Sequence, residues 1–397
     1  MAALVCDQNN QVIEEFFNTD VLRLFFGCPP RYYMDVLWLF YGWSFMRDID
    51  KYSLNNKLTK ILMEIERFHG KFQASKLFTP HFVTELKKTT IITSSGASTR
   101  IEGAILTDDE IKKFVSNGCK ISKMSSRSER EVAGYVKALN YIYKHYNEIE
   151  VTEKNLRELH QILTSELTSD QLPKKQRGAY KDITNHVIEK NLDTGKETIW
   201  FKTTPPGPMT ETAMRDLVDN FNKFKQSEEI HPIILIAIFI VHFLGIHPFR
   251  DGNGRLSRLI SVWLMLKFGY LWIQFTSHEK VIEDNKENYY LSLRETQNTF
   301  QAKKVNYDRW LYFFITVILK QTQIIQSILQ KQSPVSAMNK NEQLVYEIIK
   351  SNHKCNIGFI LDQVEMTRAG LKTLLKRLIE QRIIKVEGVG KGSKYYI

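Results

Sequence analysis

Apolar residues run almost unbroken from Pro232 to Gly245, interrupted only by His242. A run of that length is too short to span a bilayer and reads as a buried core helix. After a polar stretch, Leu256, Leu259, Ile260, Trp263 and Leu264 recur at helical spacing, which predicts a second, amphipathic helix. The polar residues from 247 to 255 therefore join two helices. Upstream, two short β-rich runs flank Asp193-Thr194-Gly195 within residues 178–206 and predict a hairpin, the one strand signal in a mostly helical middle. Thr107-Asp-Asp-Glu110 reads as a capping box opening a helix. A helical pattern continues to about residue 331, and Gln332-Ser-Pro-Val-Ser-Ala reads as a short linker. Beyond it come short helices over Glu342 to Lys350 and Ile357 to Val364, then a third, capped by Thr367, to Gln381. Ile383 to Glu387, a turn at Gly388 to Gly392, and Lys394 to Ile397 form a closing hairpin.

The joining loop holds the chemistry. Residues 247–255 read His-Pro-Phe-Arg-Asp-Gly-Asn-Gly-Arg, with a further Arg at 258. Gly252, Asn253 and Gly254 precede the amphipathic helix, whose first amides lack internal partners and favour anions. Phosphate oxygens suit that backbone. Arg255 and Arg258 share a helix face, and guanidinium forks grip phosphate in bidentate fashion. Asp251 adds a carboxylate, a common partner of Mg²⁺ beside phosphates. His247 titrates near neutral pH without help and suits a general base. Pro248 stiffens the turn, and Phe249 is expected to point inward as an anchor.

This run resembles the signature of the Fic family, His-x-Phe-x-Asp/Glu-Gly-Asn-Gly-Arg-x-x-Arg, at every defined position. The resemblance implies transfer of AMP from ATP to a protein hydroxyl. His247 would then activate the acceptor Ser, Thr or Tyr, and Asp251 would hold Mg²⁺ on the phosphates. The backbone of Gly252 to Gly254 and the Asn253 side chain would form an anion hole. Arg255 would bind the β-phosphate and Arg258 the γ-phosphate. The implied nucleotide site spans Phe249, Arg250, Asp251, Gly252, Asn253, Gly254, Arg255 and Arg258, and Tyr289 of Asn288-Tyr289-Tyr290 is a plausible nucleoside contact. Relatives that phosphorylate depart from the pattern around the second Gly-Arg; this chain does not.

Upstream, Ser98-x-x-x-Glu102-Gly103 resembles the family's inhibitory motif, in which Glu102 would pair with Arg258 and restrain the reaction. In some relatives the same glutamate supports AMP removal. The hairpin in 178–206 would be the flap that pairs with the target backbone, a task suited to an exposed strand edge. His186 and His231 read as structural or exposed.

Composition frames these readings. The chain has 397 residues, 43% hydrophobic and 25% charged, which fits a globular protein of two or three domains. Four scattered cysteines (Cys6, Cys28, Cys119, Cys355) lack metal-type spacing and fit a reducing cytoplasm, with no membrane partner expected. Residues 1–45 are rich in aromatics and lack the pattern of a signal peptide. The expected fold is mainly α: an atypical extension (1–45), an N-terminal helical region with the inhibitory motif (46–150), a Fic helical bundle with its hairpin flap (151–331), a linker (332–338) and a small domain (339–397). That last segment resembles a winged helix-turn-helix. Residues 335–397 carry 11 Lys/Arg against 6 Asp/Glu, and the whole chain is at +11, which brings DNA into consideration as a partner. The resemblance also brings a homodimer into consideration, since relatives often form dimers, but the sequence does not fix the oligomeric state. The rival readings are a nucleotide-sensing DNA-binding regulator, and a Fic enzyme that moves another group or removes AMP.

Overall fold

The computed structural model describes residues 49, 52–74, 80–190, 197–300, 302, 304–336, 338–352, 354–388 and 390–397. The extension 1–45 and the hairpin tip with Asp193-Thr194-Gly195 lie outside the described residues. The elements of the N-terminal part are α1 (Asn56–Ala74), α2 (Pro80–Ile101), α3 (Asp108–Ser116), α4 (Arg127–His145), α5 (Glu153–Leu163), β1 (Val187–Lys190) and β2 (Glu197–Phe201). There follow α6 (Pro208–Ser227), α7 (Pro232–Ile246), α8 (Asn253–Lys267), α9 (His278–Glu283), α10 (Lys286–Gln297) and α11 (Asp308–Ser336). The C-terminal part contains α12 (Lys340–Ser351), β3 (Cys355–Asn356), α13 (Ile357–Leu361), α14 (Arg368–Glu380), β4 (Lys385–Glu387) and β5 (Lys394–Tyr396).

The architecture is mainly helical, organised about α7. The apolar run forms that helix, and every residue from Ile233 to Ile246 is buried. A helix apolar on all sides needs neighbours on all sides, and α6, α8, α10 and α11 supply them. Trp310 of α11 is fully buried, and its indole N–H donates to the Ala237 carbonyl of α7 at 2.6 Å. Within α11, Asp308–Leu329 has the length and hydropathy of a bilayer span, yet half of that stretch is buried, against α1, α7 and α10. The helix α2 approaches the bundle through small side chains. Ser94, Ser95, Ala97 and Ser98 are all buried, and α2 packs against α4 and α9.

Helix ends follow the local signals. Thr107 and Glu110 form the expected reciprocal capping box, and Ser126 with Glu129 forms another at the start of α4. The expected hairpin is present as antiparallel β1 and β2, paired Ile188 to Ile199 and Lys190 to Glu197, with an irregularity between Val187 and Ile188.

The C-terminal residues build a separate core of Val345, Ile349, Ile360, Leu371, Leu375 and Leu378. The expected helices and hairpin are there, and Thr367 accepts from the Gly370 amide at the start of α14. A two-residue strand, β3, was not foreseen; it pairs with β5 to give the order β3-β5-β4. The linker expected at 332–338 is a correction, because α11 continues through Pro334 to Ser336. The separation between the two cores falls after Ser336, where Asn339 caps α12.

Trp310→Ala empties a fully enclosed ring site between α7 and α11. It should cost about 3–5 kcal/mol, read as a lower urea midpoint at unchanged slope.

Candidate active site

The loop between α7 and α8 turns sharply at both ends. His247, the residue after α7, takes φ 53°, ψ 58°, a left-handed conformation that histidine tolerates better than bulkier residues. Gly252 takes φ 80° just before α8, where a glycine avoids strain. Between them the loop is tied at several points. The Asn253 side chain accepts from the Phe249 amide at 2.9 Å and donates to the Phe249 carbonyl at 2.7 Å. His160 of α5 sits below: its Nδ1 accepts from the Gly178 amide, so Nε2 carries the proton and donates to the Asp251 carbonyl, both at 2.9 Å. Its ring stacks on Phe249 with centroids 3.9 Å apart.

A third tie comes from the base of the hairpin. Lys181 is buried, and its amine donates to the Ile246 carbonyl, Asn185 Oδ1 and Thr203 Oγ1. Asn185 in turn donates to the Phe249 carbonyl at 2.6 Å, and Thr204 donates to the Ile246 carbonyl at 2.6 Å. Burial with no carboxylate bonded to it draws the Lys181 ammonium down to about 7.

These ties set His247 on the wall of a cavity of about 790 Å³, a size suited to a small-molecule ligand. The Nδ1 of His247 lies 3.2 Å from the Leu244 carbonyl. A carbonyl only accepts, so Nδ1 bears the hydrogen and Nε2 keeps its lone pair. Burial and the nearby Lys181 push the imidazole down to about 4, and it is neutral at pH 7. The same wall carries Arg250, Asp251, Gly252, Asn253, Gly254, Arg255 and, across the space, Tyr289.

Opposite the amide end of α8 stands Glu102, just past the end of α2. Its Oε1 accepts from Arg258 Nη2 at 2.8 Å. A Cβ built on Gly254 would lie 2.3 Å from that same Oε1, so the carboxylate rests directly on the glycine. Ser98 adds two bonds to the guanidinium, Nε to its hydroxyl and Nη2 to its carbonyl, each 2.9 Å. Burial opposes the charge on Arg258, and Glu102 holds it well above its ordinary value. Gly103, with φ 97°, ends the turn there. The inhibitory set Ser98, Glu102 and Gly103 and the distal arginine are thus brought together.

Asp251 sits among charges. Its Oδ1 accepts from the Gly252 amide at 2.6 Å and lies 3.3 Å from Arg255 Nη2; its Oδ2 lies 2.5 Å from Arg127. Burial alone would raise its carboxyl, but Arg255, Arg127 and the Gly252 amide keep it below the usual range. Among the described residues no cluster of three or more His, Cys, Asp or Glu could hold a metal. The carboxylates that line the cavity are Glu102, Glu131 and Asp251, oxygen donors of the kind a hard cation takes.

Phe249 points inward as expected, and the Asn253 side chain is engaged within the loop. Phe249 is fully buried against His160 and Tyr180, and its ring is not on the cavity wall. The Asn253 side chain spends its carbonyl and amide groups on Phe249 and serves as a staple of the loop. Arg258 is sealed beneath the wall, 1% exposed, and meets the cavity only by way of Glu102. His231 is structural, capping α7, while His186 lies on the cavity rim. Sequence reasoning missed Arg127, Glu131, His160, Lys181, Asn185 and Tyr290. The two tyrosines were seen together, but only the first was singled out; the others come from elements far from the signature.

Residues 150–265 match the description of the Fic/DOC family. Two relatives are the protein adenylyltransferase Fic of Drosophila grimshawi, 26% identical over 176 residues (44% of this chain, 32% of that protein), and that of Drosophila erecta, 28% identical over 179 residues (44% and 32%). The chain thus spans about a third of the length of these curated relatives. A Fic family protein from Desulfovibrio desulfuricans G20 shares the fold with a TM-score of 0.61 at 19% identity, over 87% of this chain and 97% of that one. Fic-1 from C. elegans does so with a TM-score of 0.53 at 18% identity, over 69% and 73%.

His160, His242 and His247 have folded values near 4, 3 and 4, each lowered chiefly by burial, below the ordinary 6.5. The unfolded chain therefore binds more protons between these limits, and stability falls as pH drops through that window. Denaturation midpoints measured from pH 7 to pH 4 should decline at up to about 1.4 kcal/mol per pH unit for each histidine.

Proposed function

We propose that this chain, whose residues 150–265 match the Fic/DOC family, moves AMP from ATP to a Ser, Thr or Tyr hydroxyl of a target protein. The observation that carries this reading is the cavity itself: a neutral imidazole, the amide end of a buried helix and the Arg255 guanidinium line one space, and Glu102 on the same wall ties it to the buried Arg258. His247 Nε2 takes the hydroxyl proton. The hydroxyl oxygen bonds to the α-phosphorus, the bond from that phosphorus to the β-phosphate oxygen breaks, and pyrophosphate leaves. The amides at the start of α8 and Arg255 steady the phosphates, and Arg258 grips the terminal one. A divalent cation on Asp251 would offset phosphate charge. Tyr289 borders the space as a nucleoside contact, and the β1–β2 hairpin presents an edge to the target backbone.

Glu102 restrains the reaction. Its carboxylate rests on the glycine of the phosphate cradle and occupies the fork of Arg258. The terminal phosphate and Glu102 compete for one guanidinium, so a productive pose requires the carboxylate to turn away.

His247→Ala should abolish transfer of label from ATP marked at the α-phosphate, with folding intact by circular dichroism. Glu102→Gly should raise self-labelling by about tenfold or more, the scale of one charge-assisted bond. Unchanged labelling in the second variant would refute the restraint. The mass added to the modified protein distinguishes AMP from UMP or phosphate.

The C-terminal unit favours a second, compatible activity, duplex DNA binding in the manner of a winged helix. Arg368, Lys372, Lys376 and Arg377 all lie on the exposed side of α14. A gel shift that weakens with Lys372→Glu and with salt is the expected result.

A further inference from the structure

Arg127 belongs to no motif, yet it stands on the rim of the cavity at the first turn of α4. The Ser126–Glu129 box fixes the backbone beneath it. Its side chain completes a closed ring of four charges. Nη2 lies 2.5 Å from Asp251 Oδ2 and Nε 2.8 Å from Glu131 Oε1. Glu131 Oε1 also lies 3.1 Å from Arg255 Nη1, and Arg255 Nη2 lies 3.3 Å from Asp251 Oδ1. Two cations and two anions balance.

The members differ in freedom. The Arg255 side chain is 3% exposed and Glu131 10%, whereas Arg127 is 49% exposed. Removing a buried partner leaves an uncompensated charge, at high cost. Releasing Arg127 into water costs little, because exposed pairs are weak. The ring therefore has one member that leaves easily, and that member sits on Oδ2. The other oxygen, Oδ1, is already engaged by the Gly252 amide and Arg255. Oδ2 is thus the oxygen on which an incoming cation depends, and a guanidinium and a cation on one oxygen repel each other.

We propose that Arg127 and a divalent cation are alternative occupants of Asp251 Oδ2, so that Arg127 sets the cation concentration at which the site accepts a polyphosphate. This rests on reading the cavity as a nucleotide site. A purely structural Arg127 would change stability and leave cation affinity alone.

The test is titration of the full chain with Mn²⁺ alone, followed by electron paramagnetic resonance, for wild type, Arg127→Gln, Arg127→Lys and Asp251→Asn. Loss of an exposed competing pair worth about 1 kcal/mol predicts Mn²⁺ binding about fivefold tighter in Arg127→Gln. Arg127→Lys keeps the competing charge and should stay close to wild type, which guards against a folding defect in the first variant. Asp251→Asn should lose the site. Equal Mn²⁺ affinity in wild type and Arg127→Gln, or undiminished binding in Asp251→Asn, overturns the proposal. A parallel titration with a fluorescent, non-hydrolysable ATP analogue in the Glu102→Gly background separates the two readings. Failure of every variant to bind the analogue counts against the nucleotide site, while the Mn²⁺ comparison still decides the role of Arg127.

Discussion

Two buried helices meet end to end across six residues, and the site depends on how that meeting is held. The carbonyl end of α7 and the amide end of α8 face into one loop, with left-handed turns at His247 and Gly252. Neither turn is self-supporting. The loop keeps its path because Asn253 clamps Phe249, His160 holds Asp251 from below, and Lys181 and Thr204 satisfy the last carbonyl of α7. Each tie consumes a polar group that burial would otherwise leave costly. A base, a carboxylate and a row of amides are thereby placed on one wall by packing, before any ligand arrives.

The electrostatics follow from the same burial. Arg255 and Arg258 lie almost wholly inside the protein, where an uncompensated guanidinium is costly. Each is matched: Arg258 by Glu102, Arg255 by Glu131 and Asp251. A site that receives several negative charges, as proposed here, must hold negative charges of its own while it waits. The proposed restraint by Glu102 and the proposed contest at Asp251 are then two expressions of one requirement, that the buried arginines never stand alone.

The contiguous part of this site was legible in the sequence because a single loop carries it, and the residue types from His247 to Arg258 suit one reaction together. Glu102 was legible through its spacing from Ser98 and Gly103. The inward anchor Phe249 was legible too, whereas the engagement of the Asn253 side chain with the Phe249 backbone was not. The supporting residues escaped because nothing local marks them. Arg127 looks like a solvated first-turn residue, His160 like one polar position on the apolar face of α5, and Lys181 like a surface lysine of a hairpin. Their roles arise only when α4, α5 and the hairpin converge on the loop. The continuation of α11 through Pro334 to Ser336 shows a related limit, since a proline signal alone did not mark where the helix ends.

Ser98 grips Arg258 through both its hydroxyl and its carbonyl, independently of Glu102. Under the proposed restraint, a glutamate that turns away leaves a guanidinium with no reason to follow. Switching would then be confined to one short side chain at the edge of a fixed scaffold, with the proposed receptor for the terminal phosphate kept assembled. Such a latch can be sprung by anything that displaces a few atoms beyond Ile101, with no rearrangement of the helices behind it.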